Sequence, residues 1–451
     1  MIYPNELETK LGFDQLRERI ARYCLSPVAA SRVLEIRFQS NPESIRTLLR
    51  QNLEFRQILE KSEDFPARHY HDPTEWLEKI RLEGSFLDER QFLDLANTLH
   101  TITACRKFLT TARETYPALF ALAEPVDITT RHADDIVLRI DDNATVKDNA
   151  SPELAAVRKK LKAEQQRLRR LADTLFRSAV ESGWVPEGGL PTIRDGRVVI
   201  PVLAEHKRRL KGFILDESAT GQTIFIEPAE MLDTNNEIRD LEHAEKREVI
   251  KILRQMTDQL RQHLPALLAA FDFLATVDLI RAKAKLSVDI DADMPVVEDA
   301  PCLVWYHARH PLLLLSLRGK RDVVPLEIEL DEQEKMLLVS GPNAGGKSVC
   351  LKTVGLLQYM VQCGLLIPVS ERSRVGIFED IFLDIGDQQS IENDLSTYSS
   401  HLHNMSVFIR SASARSLVLM DELGSGTDPN FGGAIAQAVL DALLERSAGA
   451  W

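Results

Sequence analysis

Eight consecutive residues constrain this chain more than any others: Gly341-Pro342-Asn343-Ala344-Gly345-Gly346-Lys347-Ser348. They match the phosphate-binding P-loop (Walker A) pattern of Gly, four residues, then Gly-Lys-Ser. The flanks matter as much as the motif. Met336-Leu337-Leu338-Val339-Ser340 is a short apolar run, predicted to be a buried parallel strand. Val349 to Gln362 is helical by spacing, with Gly364 placed to end it. Strand, loop and helix in that order let the loop's backbone N–H groups curl around phosphate oxygens at a positive helix N-terminus. Lys347 is then expected to reach the β- and γ-phosphates and Ser348 to ligate Mg²⁺, so ATP with Mg²⁺ is the expected ligand.

A Mg²⁺ site needs a second anchor. Seventy-four residues after Lys347, the run Leu417-Val418-Leu419-Met420 leads into Asp421-Glu422. An apolar strand ending in Asp-Glu is the Walker B arrangement. Asp421 is expected in the Mg²⁺ shell, and Glu422 is the candidate catalytic base that orients or deprotonates the attacking water.

The rest of the chain reads as helical with one small β insertion. With 451 residues, about three domains are expected. Residues 1–150 form a helical core region, in which Leu11 to Cys24, Pro42 to Lys61 and Glu89 to Ala112 carry helical spacing and no catalytic cluster. Leu154, Val157, Leu161, Leu168, Leu171 and Leu175 fall on a heptad pattern, with Ser151 as N-cap and Pro152 at the first helical position. A second seam runs from Ile238 to Leu264. Two long antiparallel helices are expected, 151–187 going out and a returning one that stops at Pro265; another helix then runs to about Leu286, so that 229–288 comprises the returning helix and core. Between them, 188–228 is a small β module: Gly188-Gly189 break the helix, Ile193 to Ile200 is a hairpin with an Asp-Gly turn, and two more strands cover Gly212 to Leu215 and Thr223 to Ile226. Residues 289–301 are an acidic, proline-bearing linker, and 302–451 an α/β ATPase domain.

Net charge is −13, which excludes a generic polyanion binder. The distribution says more. Residues 151–212 carry 14 Lys+Arg against 7 Asp+Glu, a local +7, so the remainder sums to −20. An isolated basic run can be a solvated helix face. Here Arg194, Arg197, Lys207, Arg208, Arg209 and Lys211 fall on the strands and turns of the β module, which makes them candidates for contacts with nucleic-acid phosphates. The densest apolar stretch, Pro311 to Leu317, has seven residues, far short of the ~18 of a membrane span, so no membrane partner is expected. Five scattered cysteines with no CxxC pair argue against a disulfide framework or zinc ribbon and point to the cytoplasm.

Here the motifs carry a family resemblance. GPNAGGKS resembles the P-loop of MutS-family ATPases. Asp421-Glu422-Leu423-Gly424-Ser425-Gly426-Thr427-Asp428-Pro429 resembles the family's signature around Walker B, and Arg309-His310-Pro311-Leu312 its entry into the ATPase domain. Asp394-Leu395-Ser396-Thr397-Tyr398, ahead of His401-Leu402-His403-Asn404-Met405, resembles the segment that reaches across a MutS dimer, which implies that Ser396 and Thr397 contact the partner's nucleotide. Gly221 to Pro228 and Ile385 to Ile391 resemble the second bacterial MutS type; mismatch-reading members carry an N-terminal domain with a Phe-x-Glu wedge and then a connector, and the chain has too few residues before its long helices for both. Phe225-Ile226-Glu227, the one nearby Phe-x-Glu, lies inside a predicted strand. The resemblance implies a mixed fold, with a helical core, lever helices and a β clamp followed by an ABC-like P-loop ATPase domain. It also implies a homodimer whose ATP binding and hydrolysis drive clamping on DNA, branched or duplex, or on ribosomes and their RNA. The associated roles are suppression of recombination and rescue of stalled, collided ribosomes.

One departure stands out. The family's second type continues into a C-terminal Smr domain, the reported nuclease, whereas this chain stops at Trp451, thirty residues after Asp421. Ser447 to Trp451 does not look like the strand that should follow Walker B. An incomplete ATPase domain with impaired turnover is expected, and no nuclease is assigned to these residues. A non-hydrolysing binding and dimerisation module and a mismatch-repair-like MutS ATPase are the alternatives. An ABC-type chromosome-maintenance ATPase is disfavoured because Leu395-Ser396-Thr397-Tyr398 stands where an LSGGQ-type signature would be.

Overall fold

Strands Asp380–Asp384 and Ser416–Met420 are buried at all but one position, which is possible only where both faces of a sheet are covered. The computed structural model shows how. It describes residues 1–68, 70–341, 346–385, 394–424, 428–446 and 449–450, with backbone only for 394–400, 429 and 449–450. The chain divides into two compact units: Met1–Asp72, Thr101–Ile128 and Ala266–Trp451 form the first, and Pro73–His100 with Thr129–Pro265 the second.

In the first unit a parallel sheet runs in the order Ile2–Tyr3, Asp380–Asp384, Ser416–Met420, Gly449–Ala450. The two-residue period sorts side chains by face. Ile381, Leu383, Leu417 and Leu419 join the core that contains Leu351, Val354 and Leu357 of the helix Lys347–Gln362. Phe382, Val418 and Met420 face the other way, onto Met405 and Phe408 of the helix Asp394–Ser411 and Val439 and Leu443 of the helix Pro429–Glu445. Asp384 belongs to this second face by the same alternation. The Lys347–Gln362 helix sits close enough to the sheet that a Cβ at Gly355 would stand 2.9 Å from Leu419 and 2.7 Å from Leu11.

Leu11 comes from the N-terminal helices Leu7–Leu11 and Phe13–Tyr23, whose Leu7, Phe13, Leu16 and Ile20 share this core. The start of the helical region read from 1–150 thus packs with residues 351–419. A second, mixed sheet orders Val296–Glu298, Arg374–Gly376, Leu303–Ala308 and Leu326–Leu330.

The second unit holds the long helices Pro152–Glu181 and Ala229–Arg261. Ser151 caps the first by accepting from the Leu154 amide at 3.0 Å, and Pro152 occupies its first position. The helix ends six residues short of the expected 187, because Gly183 at φ 71° already supplies the left-handed C-terminal turn. The pair runs antiparallel: Leu161, Leu168 and Ala172 bury against Met231, Ile238 and Leu241, and Arg158 donates to Glu245 at 2.7 Å. Between them in sequence lies an antiparallel sheet ordered Thr192–Arg194, Arg197–Leu203, Thr223–Pro228, Gly212–Glu217. Asp195 and Gly196 both have positive φ, as the two-residue hairpin turn requires. Among the described residues no single helix is long and apolar enough to cross a membrane.

Candidate functional site

The P-loop helix begins at Lys347, preceded by Gly346 at φ 84°. That left-handed turn suits glycine and brings the loop into the helix. Lys347 and Ser348 therefore occupy the first turn, where amide N–H groups have no intrahelical acceptor, and among the described residues the N-cap supplies no side-chain hydrogen bond to them. An anion is the natural partner for such an end. The Lys347 ammonium folds back to donate to the Gly341 carbonyl, bridging the two ends of the loop. Pro342, Asn343, Ala344 and Gly345 lie outside the described residues.

The run leading into the loop departs from expectation. Met336–Ser340 is not a strand: beyond Met336 it carries no β-bridge, and Leu338 is 77% exposed. A parallel strand needs a neighbour to satisfy its amides, and among the described residues no strand lies beside 337–340. The end of the chain departs in the opposite sense. Gly449–Ala450, not expected to be a strand, pair in parallel with Leu417 and Val418.

Across from the loop, the Walker B strand ends at Met420, and the Asp421 amide extends its ladder by donating to the Asp384 carbonyl at 2.8 Å. Glu422 adopts φ 51°, a left-handed conformation uncommon for a residue with a side chain. Its amide donates to Asp421 Oδ1 at 3.1 Å. Gly424, at φ 82°, passes so near the next helix that a Cβ would stand 2.6 Å from the Gly432 carbonyl oxygen. The close backbone approach is thus made within the chain; Ser425, Gly426 and Thr427 are outside the described residues. A cavity of about 630 Å³ lies between these parts, lined by Ser340, Gly341 and Lys347 on one side and Asp421, Glu422, Gly432 and Gly433 on the other. That volume is in the range of small-molecule sites. A triphosphate fits its chemistry: a cation and an uncapped helix end for the phosphates, with Asp421 and Ser348 offering oxygen ligands for Mg²⁺.

One part of the neighbourhood was not singled out from the sequence. Asp384, 2% exposed, receives His401 Nδ1 at 2.6 Å on one carboxylate oxygen and Asn404 Nδ2 at 2.8 Å on the other. Asn404 Oδ1 accepts from Tyr3 at 2.7 Å. The Asp384 hydrogen bond raises the His401 pKa above its usual range; Glu422 adds to the rise, while desolvation and Lys10 oppose it. The sequence signal was a lone Asp ending an apolar strand and a His-x-x-Asn spacing on one helix face. Ser396 and Thr397 lie on the same helix, Asp394–Ser411, one to two turns before His401.

The basic residues of the second unit divide into two groups. Arg197 is committed internally: it donates twice to Glu227, at 2.7 and 2.9 Å, and to Asn236 at 2.7 Å. The expectation of a phosphate-contacting Arg197 does not fit that geometry. Glu227 is itself buried and also held by Asn235, so Phe225-Ile226-Glu227 cannot present its carboxylate to a base. Arg194 pairs with Asp216 at 3.2 Å and stacks on Phe225. Lys207, Arg208, Arg209 and Lys211 are exposed on the turn between two strands.

Residues 337–450 match the family model described as MutS domain V. Over nearly its full length the chain is similar to proteins named Endonuclease MutS2. It is 38% identical to that of Pelotomaculum thermopropionicum over 441 residues, covering 98% of this chain and 55% of the relative. Identity to that of Thermomicrobium roseum is 39% over 453 residues, covering 98% and 56%. For Aquifex aeolicus it is 33% over 446 residues, covering 97% and 56%. The chain spans a little over half the length of these relatives. With the P-loop, the Asp-Glu strand end and the segments around them, these matches show that the chain belongs to the MutS family and is of the MutS2 type.

Proposed function

We propose that this chain is an ATPase that binds ATP with Mg²⁺ and couples its binding and hydrolysis to clamping of a dimer on nucleic acid. The observation that carries the reading is the cleft in which Lys347 and the uncapped start of its helix face Asp421 and Glu422. Lys347 and the first-turn amides neutralise the phosphates. Ser348 and Asp421 would hold Mg²⁺, which screens the phosphate charge when bound. Glu422 takes a proton from the attacking water. Ser396 and Thr397 reach the nucleotide of a second copy, so that ATP favours the closed dimer by its differential affinity for that state. The paired helices act as a lever and the β module as a clamp, whose Lys207, Arg208, Arg209 and Lys211, with Arg194, meet phosphates without reading sequence. The client is DNA or ribosomal RNA, and the nuclease of the relatives' name is not assigned to these residues.

A second reading, nucleotide binding without turnover, is favoured by one observation: among the described residues, 337–340, which lead into the loop, have no strand partner. Nucleotide titration of the parent and of Lys347→Ala tests the site itself. ATP should bind the parent and not the variant; equal affinity would remove the P-loop from the function.

A further inference from the structure

The parallel sheet of the first unit begins with the two-residue strand Ile2–Tyr3, paired with Ile381 and Phe382. So short a ladder contributes little by itself. Its side chain Tyr3 reaches further. The ring packs edge-on against Phe408, with centroids 5.9 Å apart, and the hydroxyl donates to Asn404 Oδ1 at 2.7 Å. Asn404 and Phe408 lie one turn apart on the helix Asp394–Ser411, so one residue of the edge strand holds two successive turns of that helix. The hydrogen bond also sets the sense of the Asn404 amide, which has one accepting and one donating end. With Oδ1 taken by Tyr3, Nδ2 donates to Asp384 Oδ1 at 2.8 Å. The reverse orientation would set a carbonyl oxygen against a carboxylate that is 2% exposed, and a buried carboxylate needs its donors. The other Asp384 oxygen is paired with His401 Nδ1 at 2.6 Å, one turn earlier on the same helix. Tyr3, Asn404, Asp384 and His401 thus form one chain of hydrogen bonds between two neighbouring strands and the helix laid across them.

We propose that Tyr3 is a positioning residue for the helix Asp394–Ser411: by orienting the Asn404 amide it fixes the helix against Asp384, and so holds the turn that carries Ser396 and Thr397 ready for the nucleotide of a second copy. The inference rests on the reading that Ser396 and Thr397 contact that nucleotide. ATP draws two copies together only by its differential affinity for the closed state, and any ordering of the helix on closure is subtracted from that affinity. A helix already locked from the N-terminal strand leaves less to subtract.

Tyr3→Phe keeps the ring on Phe408 and removes only the donor. Sedimentation with a slowly hydrolysed ATP analogue gives the dimer dissociation constant of the parent, Tyr3→Phe, Asn404→Ala, the double variant and Ser396→Ala. Melting temperatures and analogue affinity at dilutions where the chain is monomeric are measured alongside. The expected result for Tyr3→Phe is an analogue-bound dimer about fivefold weaker, the equivalent of one hydrogen bond, with unchanged affinity at its own P-loop. Because Tyr3 acts through Asn404, adding Tyr3→Phe to Asn404→Ala should weaken the dimer no further. Phe13→Leu, at a fully buried site in the same unit, controls for stability alone: it should lower the melting temperature and leave the dimer as in the parent. Parental dimerisation in Tyr3→Phe while Ser396→Ala is impaired would overturn this inference and spare the shared site. Additive losses in the double variant, or a Phe13→Leu dimer weakened as much as that of Tyr3→Phe, would overturn it too. A parent unmoved by the analogue, or a Ser396→Ala that matches the parent, removes the shared-site reading and this inference with it.

Discussion

Lys283→Met should stabilise the protein at neutral pH and lose that advantage in base. Lys283 lies on the helix Leu264–Asp289, buried in the first unit, and donates to the Cys363 carbonyl at 3.3 Å. Cys363 ends the P-loop helix, so the ammonium sits at the negative end of that dipole. The interaction does not offset burial: desolvation pushes the lysine pKa down to about 8, with Arg17 adding to the fall and Cys363 opposing it. A fall from 10.5 to about 8 corresponds to about 3 kcal/mol of penalty on the charged form. Between those two values the unfolded chain binds more protons than the folded one, so stability rises with pH. Below about 8 both states are charged and the penalty is constant.

Methionine is apolar and similar in length, and its introduction removes the penalty. The lost hydrogen bond costs about 1 kcal/mol, leaving a net gain of about 1–2 kcal/mol at pH 7. Urea unfolding of parent and variant, followed by far-ultraviolet circular dichroism from neutral pH to about 10.5, measures the difference. The gain should shrink above about pH 8, cross zero within that range and reverse by about 1 kcal/mol at its end, where the penalty is gone and the lost hydrogen bond remains. A variant less stable than the parent at pH 7, or a difference that does not change with pH, would refute the argument.

Three further outcomes are expected. Gly424→Ala should cost at least ~1–2 kcal/mol in thermal or urea unfolding, because the new Cβ meets the Gly432 carbonyl and φ is 82°; turnover should fall with it, as Glu422 lies two residues upstream. Neutralising Arg208, Arg209 and Lys211 together should weaken binding to all nucleic-acid sequences alike and flatten the salt dependence by roughly one slope unit per lost contact; the same change at Arg197 should instead lower stability, since it leaves buried Glu227 without its guanidinium. A slowly hydrolysed ATP analogue should shift the parent toward dimer in sedimentation, and Ser396→Ala should reduce that shift; an unmoved equilibrium in the parent would contradict a shared nucleotide site.

Legibility from sequence followed the origin of each element's stability. Ser416–Met420 and the helix after the P-loop were readable because apolar periodicity alone specifies them, and the 192–203 hairpin because Asp195-Gly196 can only turn one way. Met336–Ser340 has the composition of a buried strand, but among the described residues 337–340 have no neighbouring strand, and a ladder is a property of two segments. Gly449–Ala450 is the converse, a pair with no strand propensity placed by its partner Leu417–Val418. At the site, Lys347, Asp421 and Glu422 were legible because their spacing is local to a motif. The Asp384–His401–Asn404 cluster was not, since Asp384 acquires meaning only when the sheet turns it toward a helix seventeen residues on. Arg197 misled for the same reason: its charge is visible in sequence, whereas the buried Glu227 that holds it is thirty residues away.

The most direct test of the central claim is the rate of phosphate release from ATP with Mg²⁺ by the parent and by Glu422→Gln, alongside nucleotide affinity for both. Glu422→Gln keeps the shape and hydrogen-bonding capacity of the side chain and removes its ability to take a proton. The account predicts turnover in the parent, its loss in the variant, and ATP bound at least as tightly by the variant as by the parent. Parental turnover in Glu422→Gln, or a parent that binds ATP and releases no phosphate, would contradict it.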